Sequence, residues 1–236
     1  MFDFLKKQKS DTALELISIH IPKTAGTSFR NTLKQVYGEE KVVRLDINRS
    51  SKEVRINELL FTKPELPSKI KVIHGHFSIA NLKQCFFIDE CTPMITWLRD
   101  PVDRVISNYF YLCKRLAEEL EEEKKGLNIL SKLQRSLIEY ARDEISRNRI
   151  SKFLSGAQLT DFIFVGIQEH YDADLADLAN LLDWPTAKAF LHNVTGSSYE
   201  VDKGTRDEIA RLNTLDMDLY HTALEMRENR LSKMCN

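Results

Sequence analysis

Residues 13–38, "ALELISIHIPKTAGTSFRNTLKQVYG", constrain the fold of this chain more than any other segment, because an apolar run passes through a short loop into a helical pattern. Leu14, Leu16, Ile17, Ile19 and Ile21 make the run apolar and β-branched, and Pro22 stops it, which predicts a buried strand. Beyond the loop, Phe29, Leu33 and Val36 fall at helical spacing, and Gly38 suits a helix C-terminus. Strand, tight loop and helix in succession form the unit that builds parallel sheets.

The same grammar recurs along the chain. Residues 41–47 (KVVRLDI), 69–77 (KIKVIHGHF), 93–100 (PMITWLRD) and 161–167 (DFIFVGI) are short, rich in branched or aromatic residues and bounded by turn signals, so each is expected as a strand. In residues 172–184, Leu175, Leu178, Leu181 and Leu182 mark one apolar helix face. The expected fold class is α/β, three-layer, with a mostly parallel central sheet and helices on both sides. Residues 114–126 read as a solvated, charged helix end running to Gly126. After Trp184 and Pro185 a polar loop is expected over residues 192–205, then one closing helix over residues 206–229. No internal repeat or linker divides residues 1–236, so a single domain is expected.

Hydrophobic residues make up 42% of the chain and charged residues 29%, ordinary values for a globular domain with a sizeable core. Lys and Arg number 34 against 35 Asp and Glu, and this balance argues against a surface built for nucleic acid. Any anion site must therefore be local. Cys85, Cys91, Cys113 and Cys235 have neither paired metal-ligand spacing nor the density of a disulfide scaffold, and they are expected to be reduced thiols. The N-terminal MFDFLKKQKSD lacks the apolar core of a signal peptide, and Phe2, Phe4 and Leu5 offer at most a weak surface contact. No window reaches the ~18–20 apolar residues of a spanning helix. A cytoplasmic location is expected.

The loop PKTAGTS lies where open parallel sheets bind ligands, at a strand's carboxyl end and a helix N-terminus. It differs from the phosphate loop of nucleotide hydrolases, G-x-x-x-x-G-K-[ST], because its Lys comes first and one Gly is missing. Lys23 supplies a point charge, and Gly26 lets the backbone approach an anion closely. Thr24, Thr27 and Ser28 add hydroxyls to the amides of the stretch that also contains Ala25. These residues alone fit either an anion cradle or a tight helix cap.

A second segment, ITWLRDPVDRVISNYFYL (residues 95–112), adds a partner. Arg99 ends a strand, Pro101 suits a helix first turn, and Ser107 lies within two turns of it. Helical side chains lean toward the N-terminus, so Ser107 can point toward Arg99 and the two can clamp a second phosphate. The alternative is that Arg99 pairs with Asp100 or Asp103 while Ser107 bonds back to its own helix.

Together, HIPKTAGTSF and, some seventy residues later, LRDPVDRVISNYFY resemble the carbohydrate sulfotransferases of the heparan sulfate 2-O and 6-O type, including their bacterial relatives. Further similarity runs through RNRISKFLSG (147–156), FVGIQEHYDADLADLANLL (164–182) and LNTLDMDLYHTA (212–223). The resemblance implies a fold related to that of phosphate-loop nucleotide hydrolases and a donor, PAPS (3'-phosphoadenosine 5'-phosphosulfate), that leaves as PAP. It implies that Lys23 and the amides from Thr24 to Ser28 grip the 5'-phosphosulfate, while Arg99 and Ser107 grip the 3'-phosphate. The acceptor it implies is a carbohydrate or glycoconjugate hydroxyl.

A transferable sulfuryl group carries less charge than a terminal phosphoryl, so a Lys and helix-end amides can stabilise its transfer without Mg²⁺. The acceptor proton still needs a base. VIHGHF ends a strand with His74 and His76, two residues apart and so on one face. Both rings can reach the site, and resemblance to the 2-O type points to His76 as that base; the alternative, weightier for His74, is that the residue only orients its neighbour or caps the strand. A metal site on the two histidines lacks a third ligand at a usual spacing. His20 is expected to be packed or hydrogen-bonded. Arg149 and Lys152 suit the donor's phosphates, an anionic acceptor or a solvated helix face. Two other classes fit the residues: a Mg²⁺-dependent nucleotide kinase or hydrolase, and a non-catalytic nucleotide- or glycan-binding module.

Overall fold

A computed structural model describes residues 14–121, 135–185 and 199–234. Among them the strands are β1 (Leu16–Ile19), β2 (Val42–Ile47), β3 (Val54–Ile56), β4 (Leu59–Leu60), β5 (Val72–Gly75), β6 (Met94–Leu98) and β7 (Phe164–Ile167). They form one sheet in the order β4-β3-β2-β5-β1-β6-β7. The five strands from β2 to β7 in that order run parallel, and each falls on a segment expected from the apolar pattern.

The helices are α1 (Gly26–Tyr37), α2 (Ile79–Cys85), α3 (Pro101–Glu121), α4 (Leu137–Arg142), α5 (Arg149–Phe153), α6 (Tyr171–Leu181), α7 (Lys203–Leu212) and α8 (Thr214–Met234). Strand alternation sorts the core onto two faces. Leu16, Val72, Ile95, Trp97 and Phe164 pack beneath Phe29 and Leu33 of α1 and Leu175 and Leu178 of α6. Ile17, Ile19, Ile73 and Val165 pack on the other face against α2, α5 and α8. Burying each such side chain contributes roughly 1.5–3 kcal/mol, so both helical layers are firmly held.

This alternation also places chemistry. Ser18 and His20 continue the Leu16 face, His74 and His76 the Val72 face, and Arg99 the Trp97 face. All of these residues therefore emerge on the side that α1 covers, at the carboxyl edge of the sheet.

Several expectations need correction. The β3–β4 hairpin was not expected. Its two-residue loop, Asn57 and Glu58, has φ of 49° and 72°, the mirror-image turn that matches strand twist. The closing helix is two helices, broken at buried Asn213. There the Asn213 side chain accepts from the Asn148 amide at 2.8 Å and donates to the Ile209 carbonyl at 2.9 Å. Asp216, one turn on, accepts from the amides of Ile150 and Ser151 at 2.9 Å each, docking α5 against the break. The polar loop ends sooner than expected, because Asp202 caps α7 by accepting from the Thr205 amide. Leu181, assigned to the apolar face of α6, is exposed.

The charged helix end is described only to Glu121, and residues 122–126, 192–198, the N-terminal residues 1–13 and Cys235 lie outside the described residues. Cys85, Cys91 and Cys113 are free thiols. No described helix is long and apolar enough to cross a membrane.

Candidate active site

The loop after β1 is built on two left-handed residues. Lys23 has φ 74° and Ala25 φ 61°, values that cost a non-glycine residue roughly 1–2 kcal/mol each. Such alternation turns successive amides toward one point and makes an anion-binding concavity. The Thr24 hydroxyl donates to the Ile21 carbonyl at 2.8 Å, and the residue is fully buried. Its expected role as a hydroxyl donor to the ligand is therefore corrected: that hydroxyl braces the turn. No side chain caps α1 and no acid lies in its first turn, which leaves its first amides without side-chain acceptors.

A cleft of about 680 Å³ opens over this loop. Lys23, Arg30, Lys34, Arg44 and Arg115 line it, and no carboxylate does among the described residues. Ala25, Gly26, Thr27 and Ser28 form its floor at the α1 end, and His20, His74 and His76 line it at the sheet edge. A low-dielectric cleft lined by one sign of charge concentrates anions.

The three imidazoles form a stack in which His20 lies 5.2 Å from His74 and 4.8 Å from His76, centroid to centroid. Burial, then the neighbouring imidazoles, push His20 well below the ordinary histidine range. Burial first and His76 second bring His74 down to about 3. His74 Nδ1 lies 2.9 Å from Ser18 Oγ, its register partner across β1 and β5. His74 is thus a neutral, bonded spacer, and His20 is packed as expected while also facing the cleft.

His76 differs from both. Its side chain is 30% exposed, and its Nδ1 lies 2.8 Å from Asp46 Oδ1. The same oxygen accepts the His76 amide at 3.1 Å, while Asp46 Oδ2 takes Arg44 Nε at 2.7 Å. Burial works to raise the Asp46 carboxyl, but the bonds from His76 and the charges of His76 and Arg44 outweigh it and hold the group below its ordinary value. Asp46 escaped sequence reasoning. Its signal was the register of β2 against β5, which pairs Arg44 with His74 and so carries Asp46 to the level of His76.

Arg99 bonds to neither Asp100 nor Asp103; it donates Nη1 to the Lys23 carbonyl at 3.3 Å, and its buried Nε has no partner. Asp103 instead pairs with Arg206 at 2.7 Å. The Ser107 hydroxyl makes no hydrogen bond among the described residues and does not line the cleft, although Asn108 and Tyr111 on the same helix do. The Lys23 ammonium rests 4.1 Å from the centre of the Tyr111 ring. Burial, then Arg99, lower its proton affinity. Arg149 and Lys152 lie outside the cleft on α5, where the Arg149 guanidinium is 5.5 Å from the centre of the Phe153 ring. Phe153 in turn meets His76 edge-on at 6.1 Å. Among the described residues, no group of three or more His, Cys, Asp or Glu is placed to hold a metal ion.

The profile described as "Sulfotransferase family" matches residues 10–221. The chain belongs to the sulfotransferase family. Solved structures to which the chain is similar include a sulfotransferase from Alicyclobacillus acidocaldarius, 14% identical, with 90% of this chain and 96% of that one covered at a TM-score of 0.45. Mouse sulfotransferase SULT7A1, crystallised with PAP, is also 14% identical, with 86% and 65% covered at a TM-score of 0.35. A search of curated protein sequences returns no match. Membership of the family supports sulfuryl transfer as the general activity of the chain.

Proposed function

We propose that this family member transfers a sulfuryl group from PAPS to a hydroxyl on a carbohydrate or glycoconjugate, in the manner of the 2-O-type enzymes its motifs resemble. The observation that carries this reading is the single cleft that holds Lys23, the uncapped first turn of α1 and His76 together.

In the reaction the acceptor oxygen attacks sulfur in line as the bond from sulfur to the phosphate oxygen breaks and PAP leaves. His76 Nε2 takes the acceptor proton. Lys23 and the amides from Thr24 to Ser28 stabilise charge on the transferring group and the leaving phosphate. Arg99, with its unpartnered Nε, and Ser107, with its unused hydroxyl, hold the 3'-phosphate once the donor is bound. The Arg149 guanidinium lies over Phe153, which meets His76 edge-on, and this supports reading Arg149 and its helix neighbour Lys152 as contacts for an anionic acceptor. A lysine and amide cradle needs no metal for this transfer.

Calorimetry with PAP in EDTA, followed by transfer of labelled sulfate from PAPS to a panel of glycans, tests the reading. PAP binding without Mg²⁺ and labelled glycan are expected. Mg²⁺-dependent ATP binding with no affinity for PAP would assign the cleft to nucleotide phosphoryl chemistry instead.

A further inference from the structure

We propose that Asp46 is a positioning residue for His76, and that the β2–β4 meander exists at this sheet edge partly to hold it. This inference rests on the reading of His76 as the base. An ionised carboxylate only accepts hydrogen bonds, so Nδ1, at 2.8 Å from Asp46 Oδ1, must carry the ring proton. In the neutral ring Nε2 is then bare and free to accept a proton from an acceptor hydroxyl. When it does, Asp46 stabilises the imidazolium that forms.

The carboxylate is itself held from two sides. The His76 amide donates to Oδ1 at 3.1 Å, and Arg44 Nε donates to Oδ2 at 2.7 Å. Arg44 is anchored in turn by Glu58 at 2.7 Å, and its amide donates to Asn57 Oδ1 at 2.9 Å. Asn57 and Glu58 are the two left-handed residues of the β3–β4 turn, so the hairpin reaches back to the base through Arg44. Among the described residues the rings that meet His76 are the neutral His20 ring and Phe153, neither of which competes for Nδ1.

Isosteric substitution separates this role from packing. Asp46→Asn keeps the shape but offers an N–H donor to Nδ1, which favours the tautomer with the proton on Nε2 and blocks the base. Asp46→Ala removes the partner and leaves both tautomers available. If Asp46 acts through the tautomer, kcat falls at least about tenfold in Asp46→Asn, no less than in Asp46→Ala, with KM for PAPS and PAP affinity near those of the wild type. Nitrogen-15 NMR of histidine-labelled protein, with the His76 signals assigned by their loss in His76→Gln, should show Nδ1 protonated in the wild type and Nε2 protonated in Asp46→Asn. Full turnover in Asp46→Asn, a larger loss in Asp46→Ala than in Asp46→Asn, or a wild-type His76 protonated on Nε2 would each overturn the proposal. The NMR readout needs no donor, so it decides the tautomer even if PAPS proves not to be the substrate.

Discussion

The imidazole of His20 fills the space that a Cβ on Gly26 would occupy. The glycine in the loop therefore serves a packing need: it lets α1 begin directly against the histidine stack, which keeps the α1 amides and His76 on opposite sides of one cleft. His20 has no room to retreat, because His74 and His76 flank it at 5.2 and 4.8 Å. Gly26→Ala should push the first turn of α1 away from the sheet and weaken PAP binding at least about tenfold, the order expected when charge-assisted contacts to a phosphate are lost. Calorimetry checks this. Ala25→Gly, which relieves a left-handed alanine, should leave PAP affinity intact.

Arg99 holds the cradle and its neighbour together through the Lys23 carbonyl while keeping one buried donor unspent. Removing it should cost both a loop brace and a phosphate contact. Arg99→Ala is expected to weaken PAP binding roughly 10- to 100-fold, the equivalent of about 1.5–3 kcal/mol for hydrogen bonds to a charged group. Arg99→Lys should restore little, since an ammonium cannot bond to the loop carbonyl and a phosphate in the same forked geometry. A variant that binds PAP as tightly as the wild type would remove Arg99 from the 3'-phosphate site.

The parallel strands and the loop were legible because local pattern decides them: a short branched run stopped by proline can do little else in a sheet. The two motif segments were legible for the same reason, each lying on a strand-to-helix junction. What escaped was set by partners distant in sequence. Asp46 reads as one polar residue in a strand until β2 is laid against β5, and its partner His76 lies on another strand. The break at Asn213 is equally silent, since helical periodicity runs through it and only the docking of Asn148 and α5 explains it. The β3–β4 hairpin carries exposed Leu59 and Leu60, so burial gave it no alternating signature. Thr24 was misjudged because a hydroxyl in a loop faces a ligand or its own backbone with equal ease.

On α5, the turn before it and the β2–β3 turn, Arg49, Arg147, Arg149 and Lys152 gather without an ion pair to any carboxylate among the described residues. Burial first, then Arg49, lower the proton affinity of both Arg149 and Lys152, as expected of crowded like charges. The turn is near the base because the Ile47 amide donates to the His76 carbonyl at 3.0 Å, two residues before Arg49. If this group meets the acceptor, the double substitution Arg149→Gln and Lys152→Gln should raise KM for a carboxylated oligosaccharide roughly five- to tenfold, from somewhat under 1 kcal/mol per charge. KM for PAPS and for a neutral oligosaccharide should stay near the wild-type values. Added salt should narrow the difference between the two acceptors. Equal effects on both acceptors would place the cluster outside the acceptor's path.

The buried histidines also set a pH limit on stability. His74 has an ordinary value of 6.5 in the unfolded chain and about 3 when folded, so between those values the unfolded state binds a proton that the native state refuses. Stability is therefore full above pH 6.5 and falls as pH drops toward 3, by about 1.4 kcal/mol per pH unit for each such group. His20, lowered in the same direction, adds to the slope. Carboxylates with lowered values, Asp46 among them, contribute only at the acid end, so the upper part of the window reports the histidines. Urea midpoints should decline from pH 6.5 downward in the wild type, and His74→Gln, which keeps a hydrogen-bonding partner for Ser18 without a titrating group, should show a shallower decline. An identical slope in the variant would mean that His74 takes up its proton in the folded protein, and the stack would then be a charged element of the cleft.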